Sequence, residues 1–344
     1  MSTEWKQRPE GGSRFGLWLI RSIGRYGGRG IARVLLFPIT LYFLIRRGPE
    51  RAASCAWLAH ALGRRATLWD AARHVHTFAS TILDRVFLLG ENTRRFDVTV
   101  SGLEHLHRHL DEGRGMLLFG SHLGSFEVLR VLSQQRPEYT IRVVLDKAHN
   151  LALTQLLDTL NPEIAATVID AGQDGPGLML DIQQAVQSGA MVALLVDRAH
   201  PGGQSVMVPF FGREAPFPTT PWQIAAALKA PVMLGFGLYR GGRRYELIFE
   251  PFSDAVDIPR AQRKTAVAAL IQRYAARLED VARHAPYNWF NFYDFWGAEA
   301  PNTDAEHVAI KHAAINHAAI NHASIQHAST EHASSEHAAP NRSV

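Results

Sequence analysis

The chain has 344 residues, of which 47% are hydrophobic and 20% charged, and its formal net charge is +4 at pH 7. This composition is typical of a protein with a packed core, and the length allows two domains. The single cysteine, Cys55, excludes an internal disulfide framework and any CxxC metal or redox motif, and it indicates a reducing compartment.

Positive charge is concentrated in residues 1–100, which hold sixteen Lys/Arg and seven Asp/Glu. A basic segment favours an anionic partner, either nucleic acid, lipid headgroups or an acidic carrier protein. The sequence of residues 31–45, IARVLLFPITLYFLI, favours lipid. As a helix it would extend about 22 Å, less than a bilayer core of roughly 30 Å, so we expect shallow or tilted insertion. A buried core helix with a basic collar is the alternative.

Helical periodicity over residues 50–89 gives way to short apolar runs. The runs are FDVTVSG, GMLLFG, TIRVVL, ATVID, MVALLVD, APVMLGFGL and YELIFE. Most are separated by segments with a helical pattern, at 124–134, 150–160, 177–187 and 221–229, and a longer helix is expected at about 260–284. The alternation predicts an α/β fold with a mostly parallel central sheet and helices on both faces, preceded by N-terminal membrane-associated helices.

We predict three regions: a basic helical anchor over 1–95, an α/β domain over 96–300 and a tail over 301–344. The apolar segment FGLWLIRSIG extends the anchor. From residue 307 the tail repeats a His/Ala-rich pentad. Five residues advance a helix by about 500°, so the histidines would spiral without forming a compact site. Low-complexity disorder is the expectation, and weak metal capture is the alternative.

Three common catalytic motifs are absent from the sequence. There is no GxSxG elbow, no Walker loop and no GxGxxG. A serine hydrolase, a P-loop enzyme and a Rossmann dehydrogenase therefore lose their main sequence support. The HLHRH stretch is interpreted as a solvated helix rather than a metal site.

The stretch GSHLGSFE, residues 120–127, follows a buried run and places His122 at the carboxyl end of a strand, where open α/β sheets hold their ligands. A loop before the next helix would let His122 fold back toward Glu127. A carboxylate on one ring nitrogen leaves the other free to accept a proton from an alcohol, and the helix N-terminus offers amides for an oxyanion. An ordinary strand-to-helix turn is the alternative.

A second buried run ends in Asp197 and Arg198, so these charges are expected at another strand end in the same cleft. Arg198 is a candidate for binding a phosphate or carrier group, and Asp197 is a candidate for positioning Arg198. The alternative is that the two residues form a structural ion pair. Phe211, in the following PFFGREAPFP, is a candidate for a chain-binding groove or for the core. The segment PYNWFNFYDFW is either an interfacial aromatic belt or a closing part of the core.

Three segments carry a resemblance to a known family: GSHLGSFE, DRAHPGGQSVMVPFFGREAPFPTTPW and APYNWFNFYDFW. Their order and spacing resemble the lysophospholipid acyltransferase superfamily and, within it, the bacterial lipid A late-acyltransferase branch. The nearest resemblance is to predicted acyltransferases of aryl polyene pigment clusters. It covers about residues 15–297, and the HxxxxE box is its diagnostic motif.

The resemblance implies that His122 is a general base, Glu127 its orienting acid and Asp197 a part of the donor or acceptor site. Ser125, within the same box, is a further candidate for substrate binding. The resemblance also implies an acyl thioester donor (acyl carrier protein or acyl-CoA), a lipid or glycolipid acceptor, and neither metal nor cofactor. The lipid A enzymes carry an arginine after their second block, where this chain has VVLDKAHN and offers Lys147 and Asn150.

These features together predict an O-acyltransferase on the cytoplasmic face of a bacterial inner membrane, with no nucleic-acid partner. Two alternatives stay open. One is a thioesterase or phospholipase that uses the same dyad on water, and the other is a non-catalytic membrane-binding module.

Overall fold

The computed structural model describes residues 28–89, 95–129, 131, 136, 138–148, 150–199, 203–256, 258 and 262–297. The FGLWLIRSIG segment and the His-rich tail lie outside the described residues, as do residues 130 and 132–134 of the helix expected at 124–134.

Helices and strands alternate through most of the chain, as the sequence predicts. In order they are α1 (Gly28–Arg46), α2 (Gly48–Leu62), α3 (Leu68–Leu89), β1 (Asp97–Ser101), α4 (Leu103–Asp111), β2 (Met116–Gly120), a 3₁₀ helix (Phe126–Leu129), β3 (Ile141–Leu145), α5 (Leu151–Leu160), α6 (Pro162–Thr167), β4 (Ile169–Asp170), α7 (Gly175–Gln187), β5 (Met191–Leu195), β6 (Ser205–Phe210), β7 (Arg213–Pro218), α8 (Thr220–Leu228), β8 (Val232–Tyr239), β9 (Arg244–Ser253) and α9 (Arg263–His284).

Within the described residues, seven strands form one sheet in the order β1-β9-β8-β2-β5-β3-β4. The pairing of β8 with β9 is antiparallel, and the other pairings in this sheet are parallel. The predicted α/β fold with a mostly parallel central sheet is therefore confirmed.

The central strand β2 explains why helices cover both faces of this sheet. Its residues are all buried, and they alternate between two cores because successive side chains of a strand point to opposite faces. Leu117 and Phe119 pack in one core with residues of α2 and α9, whereas Met116 and Leu118 pack in the other with residues of α3 and α4. A strand buried on both sides has the continuous apolar sequence that predicted it.

Helix α1 packs along α3 through polar as well as apolar contacts. Arg29 forms a bidentate pair with the buried carboxylate of Asp84, which also accepts a hydrogen bond from the hydroxyl of Tyr245. Thr40 lies 3.3 Å from a ring nitrogen of His76 further along the pair. The opposite side of α1 is exposed, and among the described residues no helix is both long enough and apolar enough to cross a membrane.

The sequence analysis did not predict the antiparallel hairpin β6–β7. Three prolines in this stretch disfavour a strand by sequence criteria. The two-residue turn has positive φ at Phe211 (52°) and at Gly212 (74°), the backbone that tight hairpins require. Phenylalanine is rare in that conformation, so the residues at this position do not predict a turn.

Candidate active site

The sheet order brings His122 and Asp197 together. Strands β2 and β5 are parallel neighbours paired from Met116 with Met191 to Gly120 with Leu195, so both end at the same edge of the sheet. His122 and Asp197 each follow two residues after their strand. Nδ1 of His122 lies 2.8 Å from Oδ1 of Asp197, and the backbone N–H of His122 donates to the same oxygen at 3.1 Å.

Asp197 is completely buried and its carboxylate is held on both oxygens. Oδ2 accepts a hydrogen bond from the indole N–H of Trp289 at 3.0 Å, and Nε of Arg198 lies 3.9 Å away. Burial alone would raise the pKa of this carboxyl, but His122, Arg198 and Trp289 together hold the pKa below its usual range. Asp197 is therefore ionised at neutral pH, and Nδ1 of His122 carries the hydrogen that it accepts.

The carboxylate on Nδ1 of His122 is thus not the one that the sequence predicted. Glu127, on the 3₁₀ helix, pairs with Nε of Arg85 at 2.6 Å and accepts a hydrogen bond from the hydroxyl of Ser125 at 2.8 Å. Local spacing along the chain favoured Glu127, whereas the orienting bond at Nδ1 comes from a strand 75 residues later in the sequence. Glu127 still lies in the same cavity as His122.

The loop that carries His122 is fixed by close backbone contacts. The N–H of Gly124 donates to the carbonyl of Asn288, and the N–H of Ser125 donates to the carbonyl of Gly237, each at 2.8 Å. Gly124 has a φ of 79°, and a Cβ there would lie 2.0 Å from the carbonyl oxygen of Gly237. The predicted oxyanion role for amides at this helix start is therefore wrong for Gly124 and Ser125, whose N–H groups are engaged.

A cavity of about 660 Å³ opens beside these residues. His122, Glu127, Arg85 and Arg198 supply polar groups to its wall. Most of the remaining wall is apolar and comes from β3, α5, α6 and neighbouring elements, including Ile141, Val143, Leu145, Leu153, Leu157, Ile164, Val168 and Leu178. A largely apolar space beside a few convergent polar groups suits a substrate with a hydrocarbon chain.

Arg198 is fixed at the edge of this cavity. Its Nη2 donates to the carbonyl of Phe290 at 2.5 Å, and the guanidinium lies 5.5 Å from the ring centroid of Tyr293. The side chain is mostly buried, with 8% of its surface exposed. The structure thus places a permanent positive charge next to Asp197 and along the cavity wall.

The other predicted substrate-binding residues are not brought together. Asn150 lines the cavity and donates to the carbonyl of Asp146. Lys147 is outside the main cavity, and its N–H donates to Asp170. Ser125 is buried behind Glu127 and does not line the cavity. Phe211 also does not line it, because its ring packs in the core 5.0 Å from that of Trp57.

The aromatic segment PYNWFNFYDFW closes the core, and its large rings are mostly buried. It also reaches the site, because the N–H of Phe290 donates to the carbonyl of His122 and Trp289 contacts Asp197. Sequence reasoning missed Trp289 as a site residue. An aromatic cluster in a sequence indicates burial, but the sequence does not show which group an indole N–H will contact.

Among the described residues, no group of three or more His, Cys, Asp or Glu could hold a metal ion. Fold and site together define an α/β protein with a His122–Asp197 pair beside a largely apolar cavity. The sequence profile of the family described as bacterial lipid A biosynthesis acyltransferase matches residues 74–297, and the chain belongs to that family. It is therefore an acyltransferase that acts on lipid. No curated protein matches the chain.

Proposed function

We propose that the protein moves an acyl chain from a thioester donor, acyl carrier protein or acyl-CoA, to a hydroxyl of a lipid or glycolipid acceptor. The observation that supports this most directly is the bond between His122 and the buried Asp197 at the edge of the apolar cavity. We place the reaction at the cytoplasmic face of a bacterial inner membrane.

In the proposed mechanism Asp197 holds the hydrogen on Nδ1 of His122, so that Nε2 accepts the proton of the acceptor hydroxyl. The oxygen attacks the thioester carbonyl and forms a tetrahedral intermediate. Its collapse breaks the C–S bond, and the imidazolium returns its proton to the leaving thiolate. The acceptor itself is the nucleophile, so no acyl-enzyme forms.

Two charged groups of the cavity support the other partners in this reaction. The guanidinium of Arg198 would stabilise the negative oxygen of the intermediate. The amides of Gly124 and Ser125 do not serve this role, because both already donate to backbone carbonyls. Glu127, held by Arg85, faces the same space and would orient the acceptor hydroxyl. Glu127 is thus proposed to position the acceptor rather than to orient the histidine through Nδ1.

The proposed membrane contact uses the exposed side of α1. Large apolar side chains there include Ile31, Val34, Phe37, Leu41 and Ile45, each more than half exposed. Residues 28–89 hold nine arginines and three carboxylates, and each carboxylate is paired with an arginine. An apolar helix face within a net positive layer fits an anionic lipid surface. The same charge fits an acidic carrier protein.

The proposal is tested with purified protein, a labelled acyl-carrier-protein donor and extracted membrane lipids. We expect His122→Ala to abolish transfer and Asp197→Asn to reduce kcat by about three to four orders of magnitude, because the asparagine no longer fixes the tautomer. His284→Ala is the matched control, since His284 is exposed on α9. Near-normal transfer by the His122→Ala protein would reject the mechanism.

The same assay separates the two alternatives. Full release of free fatty acid from the donor without lipid would indicate a thioesterase. Vesicle binding that is unchanged in both variants, with no acyl product from the parent protein, would indicate a membrane-binding module.

A further inference from the structure

The C-terminal aromatic segment contributes one hydrogen-bond donor to the candidate active site. Nε1 of Trp289 donates to Oδ2 of Asp197 at 3.0 Å, while the opposite oxygen faces His122. A carboxylate with a donor on each oxygen has one preferred rotation about its Cβ–Cγ bond. Loss of the Trp289 donor would leave Oδ2 buried with only Arg198, 3.9 Å away, nearby.

Trp289 has little freedom to move. Its side chain is fully buried, and its ring packs edge-on against those of Trp57 (4.5 Å between centroids), Phe295 (4.8 Å) and Phe210 (5.2 Å). Its backbone forms an isolated antiparallel bridge with Leu123. The indole N–H is consequently held in one direction by packing on all sides.

The backbone of Trp289 is fixed in addition by a buried histidine. Nε2 of His74, on α3, lies 2.9 Å from the carbonyl of Trp289, and Nδ1 of the same ring lies 2.7 Å from the hydroxyl of Ser54 on α2. Because a carbonyl only accepts, Nε2 of His74 carries the hydrogen and Nδ1 accepts from Ser54. Residues of α2, α3 and β6 thus all contact this one tryptophan.

We propose that Trp289 is a positioning residue, whose indole N–H holds Asp197 in the rotation and the ionised state that orient His122 for acyl transfer. This inference rests on the proposed function. Trp289 acts through Asp197 and does not touch the substrate, since it does not line the cavity. Hydrogen bonds to charged groups are among the stronger ones in proteins, and the free energy lost with one corresponds to about 10- to 100-fold in rate.

The test is Trp289→Phe, which keeps an aromatic ring and removes the N–H. We expect kcat to fall about 10- to 100-fold with KM nearly unchanged, because substrate contacts are retained. The pKa of Asp197 should rise when this donor is lost, because Trp289 is one of the groups that hold it below its usual range. The downfield NMR signal of the proton between His122 and Asp197 should shift or broaden.

Trp57→Phe is the matched control. Trp57 is equally buried and touches Trp289, but its N–H donates to the carbonyl of Pro286, away from the acid. Equal loss of kcat and equal change of the His122–Asp197 proton signal in the two variants would overturn the proposal, because repacking alone would then explain the effect. Retained transfer in His122→Ala would instead overturn the proposed function.

If Trp289→Phe does not fold, benzothienylalanine is introduced at position 289. Its sulfur replaces the N–H within a ring system of nearly the same shape. The expected result is the same loss of kcat at parental stability, and parental activity of this protein would refute the role of the N–H.

Discussion

His74 is a neutral histidine in the core, one hydrogen bond away from the candidate active site. It is fully buried, stacked at 4.8 Å on the ring of Phe292, and bonded to Ser54 and Trp289. Burial lowers its pKa from 6.5 to about 4, although the bond to the carbonyl of Trp289 acts in the opposite direction. Folding therefore requires the uncharged ring.

This lowered pKa predicts a pH dependence of stability. The unfolded chain takes up a proton on His74 near pH 6.5 and the folded chain only near pH 4, so stability falls as pH falls through this window. The loss amounts to something on the order of 3 kcal/mol. Urea unfolding at pH 7 and pH 5 should show about 2 kcal/mol of this loss, because pH 5 lies about 1.5 pH units into the window. His74→Gln should have a weaker pH dependence despite lower stability at pH 7. An unchanged dependence in His74→Gln would contradict the assignment, and His284→Gln serves as the exposed control.

At the residue scale, the sequence predicted which strand ends hold the chemistry but not every bond there. His122, Asp197 and Arg198 were placed correctly, because polar residues after buried parallel strands collect at one edge of a sheet. The sequence pointed to Glu127 as the orienting acid, whereas the carboxylate at Nδ1 is that of Asp197, because spacing along the chain describes local neighbours and says nothing about a residue that follows the adjacent strand. The indole of Trp289 was missed for the same reason.

At the element scale, α1 is divided by its packing into two sides. Ala32, Leu36 and Thr40 are buried against the protein, while the other side exposes large apolar residues along the whole helix. Continuous apolar runs identified the buried strands of the sheet, because burial on both faces leaves a simple signal. The hairpin β6–β7 left no such signal, since its prolines and the unusual turn at Phe211 are not typical of strands.

The exposed side of α1 predicts binding to anionic vesicles. A triple variant with serine at Val34, Leu41 and Ile45 should bind vesicles of phosphatidylglycerol and phosphatidylethanolamine at least about tenfold more weakly, because buried apolar area is lost. Cosedimentation measures this, and added salt should weaken binding of the parent protein. Leu180→Ser, at a residue that is 64% exposed on α7, is the control. Equal binding of the triple variant and the control would exclude α1 as the contact.

At the scale of the whole molecule, the sheet and the helices over its edge surround a cavity with two kinds of wall. His122 and Arg198 lie where β2 and β5 end, and the apolar wall continues over β3 toward α5 and α6. The general α/β fold could be predicted from alternating strands and helices. The cavity could not, because its shape depends on how α5 and α6 pack over the edge of the sheet.

The apolar wall predicts a limit on acyl-chain length. Leu153→Trp should favour shorter donors, because each methylene excluded from an apolar pocket costs about 0.8 kcal/mol, or roughly fourfold in kcat/KM. A series of acyl donors of increasing length measures the shift. Leu156→Trp is the control, since Leu156 lies on the same helix and packs against the neighbouring apolar cluster without lining the cavity. Identical length profiles for the two variants would show that the chain lies elsewhere.

The bonds from residues 288–290 to the His122 loop have a consequence for synthesis of the protein. A ribosome makes both strand ends of the site well before it reaches this segment. Until residues 288–290 leave the exit tunnel, the nascent chain lacks the groups that hold the His122 loop and Asp197. The candidate active site can therefore form only when translation of the domain is nearly finished.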